Sequence, residues 1–147
     1  MGGQKSFLNK YIEDPESYFS NSDIVLFVVD ASEVEKIDES RKIFHEIVTL
    51  LKEKELLNDL LNLKKNIVCL FHKMDNFPNR REKYLSLKSY FKENAERPEL
   101  MKSVSFLATS IYDSSIHTAW TKVMQKLMPK SSKLNILAQN LKKDINL

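Results

Sequence analysis

The chain has 147 residues, of which 42% are apolar and 10% aromatic, and a net charge of +3. This is the size of one globular domain with a real core, and its mixed Lys and Glu surface has neither the basic stripe nor the aromatic interleaving of a nucleic-acid binder. No apolar run approaches the ~20 residues of a membrane span, and no basic-then-apolar secretory signal opens the chain, so the cytoplasm is the default location.

The first residues, MGGQ, hold both glycines of the whole sequence, Gly2 and Gly3. A free terminus has no need of glycine's conformational freedom. Further on come three short apolar runs: IVLFVV at 24–29, NIVCLF at 66–71 and VSFLA at 104–108. They are rich in β-branched and aromatic residues and do not alternate, which predicts strands buried on both faces, as in a parallel sheet. Cys69 lies inside the second run and reads as a buried core thiol. His45, His72 and His117 are far apart and have no partners at metal-ligand spacing.

Helical stripes separate and follow the strands. Ile37, Phe44, Ile47, Val48 and Leu51 recur at helical spacing after the first, and Tyr84, Leu87 and Phe91 after the second. After the third, Ile116, Ala119, Trp120, Val123, Met124 and Leu127 form a longer stripe, with Asp113, Ser114 and Ser115 as cap candidates and Pro129 as a stop. Residues 51–65 read as helix or long loop. Leu134, Leu137 and Leu141 suggest a further amphipathic segment, so the expected division is a domain over 1–129 and a helical extension over 130–147. Alternating strands and helices predict an α/β fold, an open parallel sheet with right-handed crossovers.

In such sheets ligands bind beyond the carboxyl ends of the strands, which here are Asp30-Ala31-Ser32, His72-Lys73-Met74-Asp75 and Thr109-Ser110-Ile111. A loop carboxylate such as Asp75 can accept two hydrogen bonds from N1–H and the exocyclic amine of guanine, and adenine offers neither. Lys73 can lay its aliphatic stem along the base plane, and His72 can bond the loop or the base. The backbone N–H of Ser110 or Ile111 can reach guanine O6. The plainer alternatives are a solvated turn at 72–75 and simple helix capping at 109–115.

HKMD in register with TSIYD, together with IVLFVVDAS, resembles the later half of a Ras-superfamily GTPase of the Rag/Gtr branch, over residues 2 to about 141. His72 departs from the Asn of the usual NKxD motif. The resemblance implies the last three strands of a P-loop-GTPase-type sheet that begins at switch II. Gly3 would then contact the γ-phosphate, and Gln4 would position the attacking water. The implied ligand is GTP or GDP, with Mg²⁺ only if the N-terminal half is supplied. With two adjacent glycines these residues cannot form G-x-x-x-x-G-K-[ST], so unaided GTP hydrolysis is not expected. The implied role is a GTP/GDP signalling switch, with a paired Rag-like subunit or a regulator or scaffold as partner and recruitment to a membrane surface through partners. The alternative is a non-catalytic pseudo-GTPase half-domain serving as an interaction or dimerisation module.

Overall fold

The computed structural model describes residues 5–20, 22–53, 67–93 and 95–127. Two short helices come first, α1 (Lys5–Glu13) and α2 (Pro15–Phe19). Asp14 caps the second by accepting the Ser17 N–H at 3.3 Å, and Pro15 occupies its first turn, where a missing N–H costs nothing. Tyr11 packs edge-on against Tyr18, their ring centroids 4.9 Å apart, and so fastens α1 to α2.

Three strands follow, each separated from the next by a helix: β1 (Val25–Asp30), α3 (Ile37–Glu53), β2 (Ile67–His72), α4 (Arg80–Glu93), β3 (Val104–Ala108) and α5 (Ser115–Leu127). The strands are parallel and lie in the order β1-β2-β3. The expected α/β fold is therefore present, as a three-stranded open parallel sheet flanked by helices. The first two strands each end one residue later than the apolar runs, so Asp30 and His72 are strand residues and pair with each other in register. The segments 54–66 and 128–147 lie outside the described residues, and with them Leu134, Leu137, Leu141 and the proposed extension over 130–147.

Alternation along the strands divides the sheet into two unequal faces. One face carries Val29, Ile67, Cys69, Phe71, Val104 and Phe106, which join Phe44, Ile47, Val48 and Leu51 of α3 and Leu87 and Phe91 of α4 in the main core. Its centre is aromatic: Phe44 lies 5.1 Å from Phe27 and 5.7 Å from Phe91, and Phe71 lies 5.2 Å from Phe91, measured between ring centroids. Such pairs add roughly 0.5–1.5 kcal/mol each to the burial of apolar area. Tyr84 donates its hydroxyl to the Phe106 carbonyl at 2.9 Å, tying α4 to β3. Cys69 is fully buried, and burial pushes its thiol pKa well up, as expected of a core thiol.

The opposite face is covered by α5 over part of its width. Ala119 and Val123 are buried against it, Val68 beneath is fully enclosed, and Lys126 donates to Ser105 Oγ at 2.6 Å. Val28, on β1, remains 60% exposed. Among the described residues no helix is long and apolar enough to cross a membrane.

Candidate functional site

Parallel strands place all three carboxyl ends at one edge of the sheet, and backbone hydrogen bonds pin the loops that leave them. The Ala31 N–H donates to the His72 carbonyl at 3.0 Å, the Thr109 N–H to the Phe71 carbonyl at 2.9 Å, and the Met74 N–H to the Thr109 carbonyl at 3.2 Å. The chain turns out of β2 at Lys73, which adopts φ 59° and ψ 36°, a left-handed conformation. For a residue with a Cβ this costs about 1 kcal/mol, and nothing in the sequence relieves it with glycine. A 3-10 turn, Met74–Asn76, follows, with Met74 buried as its anchor.

The side chains at this edge fall into three groups. His72 Nδ1 meets Thr109 Oγ1 at 3.0 Å, so this histidine stitches β2 to the residue that follows β3. Lys73 reaches back across the end of β1, with Nζ 2.6 Å from Asp30 Oδ2. The other carboxylate oxygen of Asp30 accepts the Ser32 N–H at 3.0 Å and the Ser32 hydroxyl at 2.6 Å. Burial alone would raise the Asp30 pKa, but the Lys73 and Ser32 hydrogen bonds outweigh it and bring the value down to about 2. The surroundings of Asp75 are different: its Oδ1 is buried and has no hydrogen-bond partner among the described residues. A carboxylate oxygen withdrawn from water without a donor costs roughly 1–3 kcal/mol or more, so such an atom marks a place where a donor belongs.

The third loop is built on its own hydrogen bonds. The Ser110 N–H donates to Ser115 Oγ at 2.8 Å, and Ser110 Oγ accepts the Tyr112 N–H at 3.0 Å. Asp113 Oδ1 caps α5 by accepting the Ser115 N–H at 2.8 Å, while its other oxygen pairs with Arg80 of α4. The sequence offered the N–H of either Ser110 or Ile111 to a ligand. The Ser110 donor is engaged inside the loop, and Ser110 itself is buried, so Ile111, 62% exposed, is left as the open position.

The edge therefore gathers His72, Lys73, Asp75, Ser110 and Ile111 from two strand ends. Gly3 and Gln4 lie outside the described residues. Two contributors were not singled out from the sequence. Thr109 was legible only as a strand-end residue, and Asp30 as the end of the first strand, and neither pairing could be read without the strand register. No group of three or more His, Cys, Asp or Glu side chains is placed to hold a metal among the described residues.

Comparison with known proteins gives this edge its context. The family model for the Gtr1/RagA G protein conserved region matches residues 1–147. The chain belongs to the Gtr1/RagA family. It is 29% identical to Ras-related GTP-binding protein A of Dictyostelium discoideum over 144 residues, covering 97% of this chain and 43% of that protein. It is 27% identical to GTP-binding protein gtr1 of Schizosaccharomyces pombe, over 90% of this chain and 40% of the relative, and 27% identical to Ras-related GTP-binding protein B of Rattus norvegicus, over 95% and 35%. The chain thus spans less than half the length of these curated relatives. The HKMD and TSIYD segments of this chain are two loops that meet in space, joined by the His72–Thr109 and Met74–Thr109 contacts.

Proposed function

We propose that the strand-end edge is the base half of a guanine-nucleotide site. The observation that carries this reading is the meeting of the 72–76 and 109–111 loops at the carboxyl ends of two adjacent parallel strands, with Asp75 in the first of them. The N1–H and exocyclic amine of guanine are two donors in one plane, the complement of a carboxylate. Lys73 supplies an aliphatic stem for the base face, His72 holds the loop through Thr109 rather than meeting the base, and the Ile111 N–H is the candidate donor to O6. The names of the curated relatives as GTP-binding proteins agree with this ligand.

The site would serve a GTP/GDP switch of the Rag/Gtr kind, paired with a second Rag-like subunit or docked on a regulator or scaffold, and drawn to a membrane surface through those partners. Gly3 at the γ-phosphate and Gln4 beside the attacking water are the phosphate-side candidates. Mg²⁺ and the remaining phosphate ligands would come from a P-loop half. The base half alone is expected to bind weakly, because P-loop amides, lysine and metal supply most of the phosphate contacts in such enzymes.

The test is titration of the isotope-labelled chain with GDP, ADP and XDP, followed by NMR so that weak binding is measurable. GDP is expected to move the resonances of the 72–76 and 109–112 loops, and ADP to leave them unchanged. Asp75→Ala should weaken GDP by about tenfold or more, the value of a hydrogen bond to a charged group. Asp75→Asn places an amide donor where the carboxylate accepted, so it should shift preference from GDP towards XDP, whose C2 carries an oxygen. Equal responses to GDP and ADP, or an Asp75→Ala variant that binds GDP like the parent chain, would overturn the assignment.

A further inference from the structure

We propose that Asp30, at the end of β1, is a positioning residue for the base site, holding Lys73 over the place where the purine lies. The inference rests on the reading of that edge as a guanine site, and adds a residue from a strand that contributes nothing else to base recognition.

Three observations converge on it. First, Lys73 is the only residue outside glycine with a positive φ among the described residues, and a left-handed lysine needs something to hold it. Second, its ammonium group is 2.6 Å from Asp30 Oδ2, although the lysine side chain is 50% exposed and free to extend into water. A long side chain on a turn gives up rotamer freedom to make that contact, so the partner must itself be well placed. Third, Asp30 is well placed. Its register partner is His72, the residue before Lys73, and its Oδ1 is fixed by both the backbone and the hydroxyl of Ser32. The carboxylate is therefore held at its other oxygen independently of the lysine.

The consequence is geometric. With Nζ anchored on the last residue of β1 and Cα just past the end of β2, the four methylenes of Lys73 run along the row of strand ends. A stem fixed in this way is an apolar surface for the flat face of a base, while Asp75 reads its edge. Ordering the stem before binding removes an entropy cost that the ligand would otherwise meet. The low pKa of Asp30 keeps the anchor charged throughout the neutral range.

The experiment is a double-mutant cycle read by GDP and IDP titration of the full chain. Asp30→Ala and Lys73→Met, the latter keeping the stem and removing the ammonium, are each expected to weaken GDP by about fivefold, the upper value for a partly exposed ion pair. The double variant should be no weaker than either single one, and Asp30→Glu should recover part of the loss. Because the edge-reading carboxylate is untouched, the ratio of GDP to IDP affinity should stay at the parent value, whereas Asp75→Ala should lower it, since inosine lacks the exocyclic amine. Additive losses, or full GDP affinity in Lys73→Met, overturn the proposal, and the lysine variant decides the matter even if Asp30→Ala does not fold. Should Asp75→Ala weaken GDP while Asp30→Ala does not, only the role of Asp30 fails. Should Asp75→Ala be silent, the guanine reading fails and this one with it.

Discussion

His45 and Asp30 both make the fold sensitive to acid, through opposite chemistry and in separate pH windows. His45 sits between α3 and α4, with Nε2 2.6 Å from the Phe91 carbonyl, to which it donates. Burial lowers its pKa from the ordinary 6.5, Arg41 adds to that effect, and the hydrogen bond to Phe91 with the charge of Glu96 opposes it. The unfolded chain therefore binds the proton more readily than the folded one, and stability should fall as pH drops below about 6.5. Urea midpoints at pH 7.5 and 5.5 should differ accordingly, and His45→Gln, which keeps an amide donor for Phe91, should flatten the difference. Asp30 acts lower on the scale. Its folded pKa of about 2 lies below the ordinary 3.8, so it contributes stability above 3.8 that is lost as pH falls through 2. The loss should be about 1 kcal/mol once the half-exposed Lys73 is discounted for screening. Comparing acid melts of the parent chain and Asp30→Asn isolates it from the other carboxylates.

At the scale of elements, the packing of α3 and α4 on one sheet face sets the stability. Phe44 is fully buried and contacts Phe27, Phe91 and Phe106. Phe44→Ala should cost about 3–5 kcal/mol, read as a shift of the denaturation midpoint. Trp120→Ala, at a position 59% exposed on α5, should change it by less than about 0.5 kcal/mol. Both positions belong to stripes visible in the sequence, and stripes of this kind are why the strands and the three long helices were legible there. Strands without alternation and helices with a one-sided apolar face are direct consequences of burial. What escaped the sequence lacks such a period. The helix α2, at five residues, is too short for one, and the Asp14-Pro15 pair that starts it reads equally well as a break. The turn Leu100–Ser103 buries Met101 from within a charged stretch. At the candidate edge, the strand ends nominated His72, Lys73, Asp75, Ser110 and Ile111, because position on a parallel sheet is enough to nominate residues. The Asp30–Lys73 bridge and the capture of the Ser110 N–H by Ser115 depend on register and loop closure, which no local pattern carries.

For the molecule as a whole, the asymmetry between the two sheet faces is the dominant feature. Val28 and Val29 are neighbours in β1, yet Val29 is 2% exposed and Val28 60%. Val29 is enclosed by α3 and the main core, whereas Val28 lies on the opposite face, which α5 covers only in part, on a strand that pairs only with β2 among the described residues. An apolar side chain facing water at the rim of a sheet whose edge strand is unpaired among the described residues favours association between copies. A charge at Val28 should therefore cost little stability, since almost nothing is withdrawn from contact, while a charge at Val29 would have to be buried against Phe44 and its neighbours. Val28→Lys is expected to fold with a denaturation midpoint within about 0.5 kcal/mol of the parent chain. Its apparent mass in sedimentation velocity should rise less steeply with protein concentration. Val29→Lys is expected not to fold. If Val28→Lys destabilised the chain as severely as Val29→Lys, the face beside α5 would have to be packed, and the division of the sheet into one covered and one partly open face would be wrong.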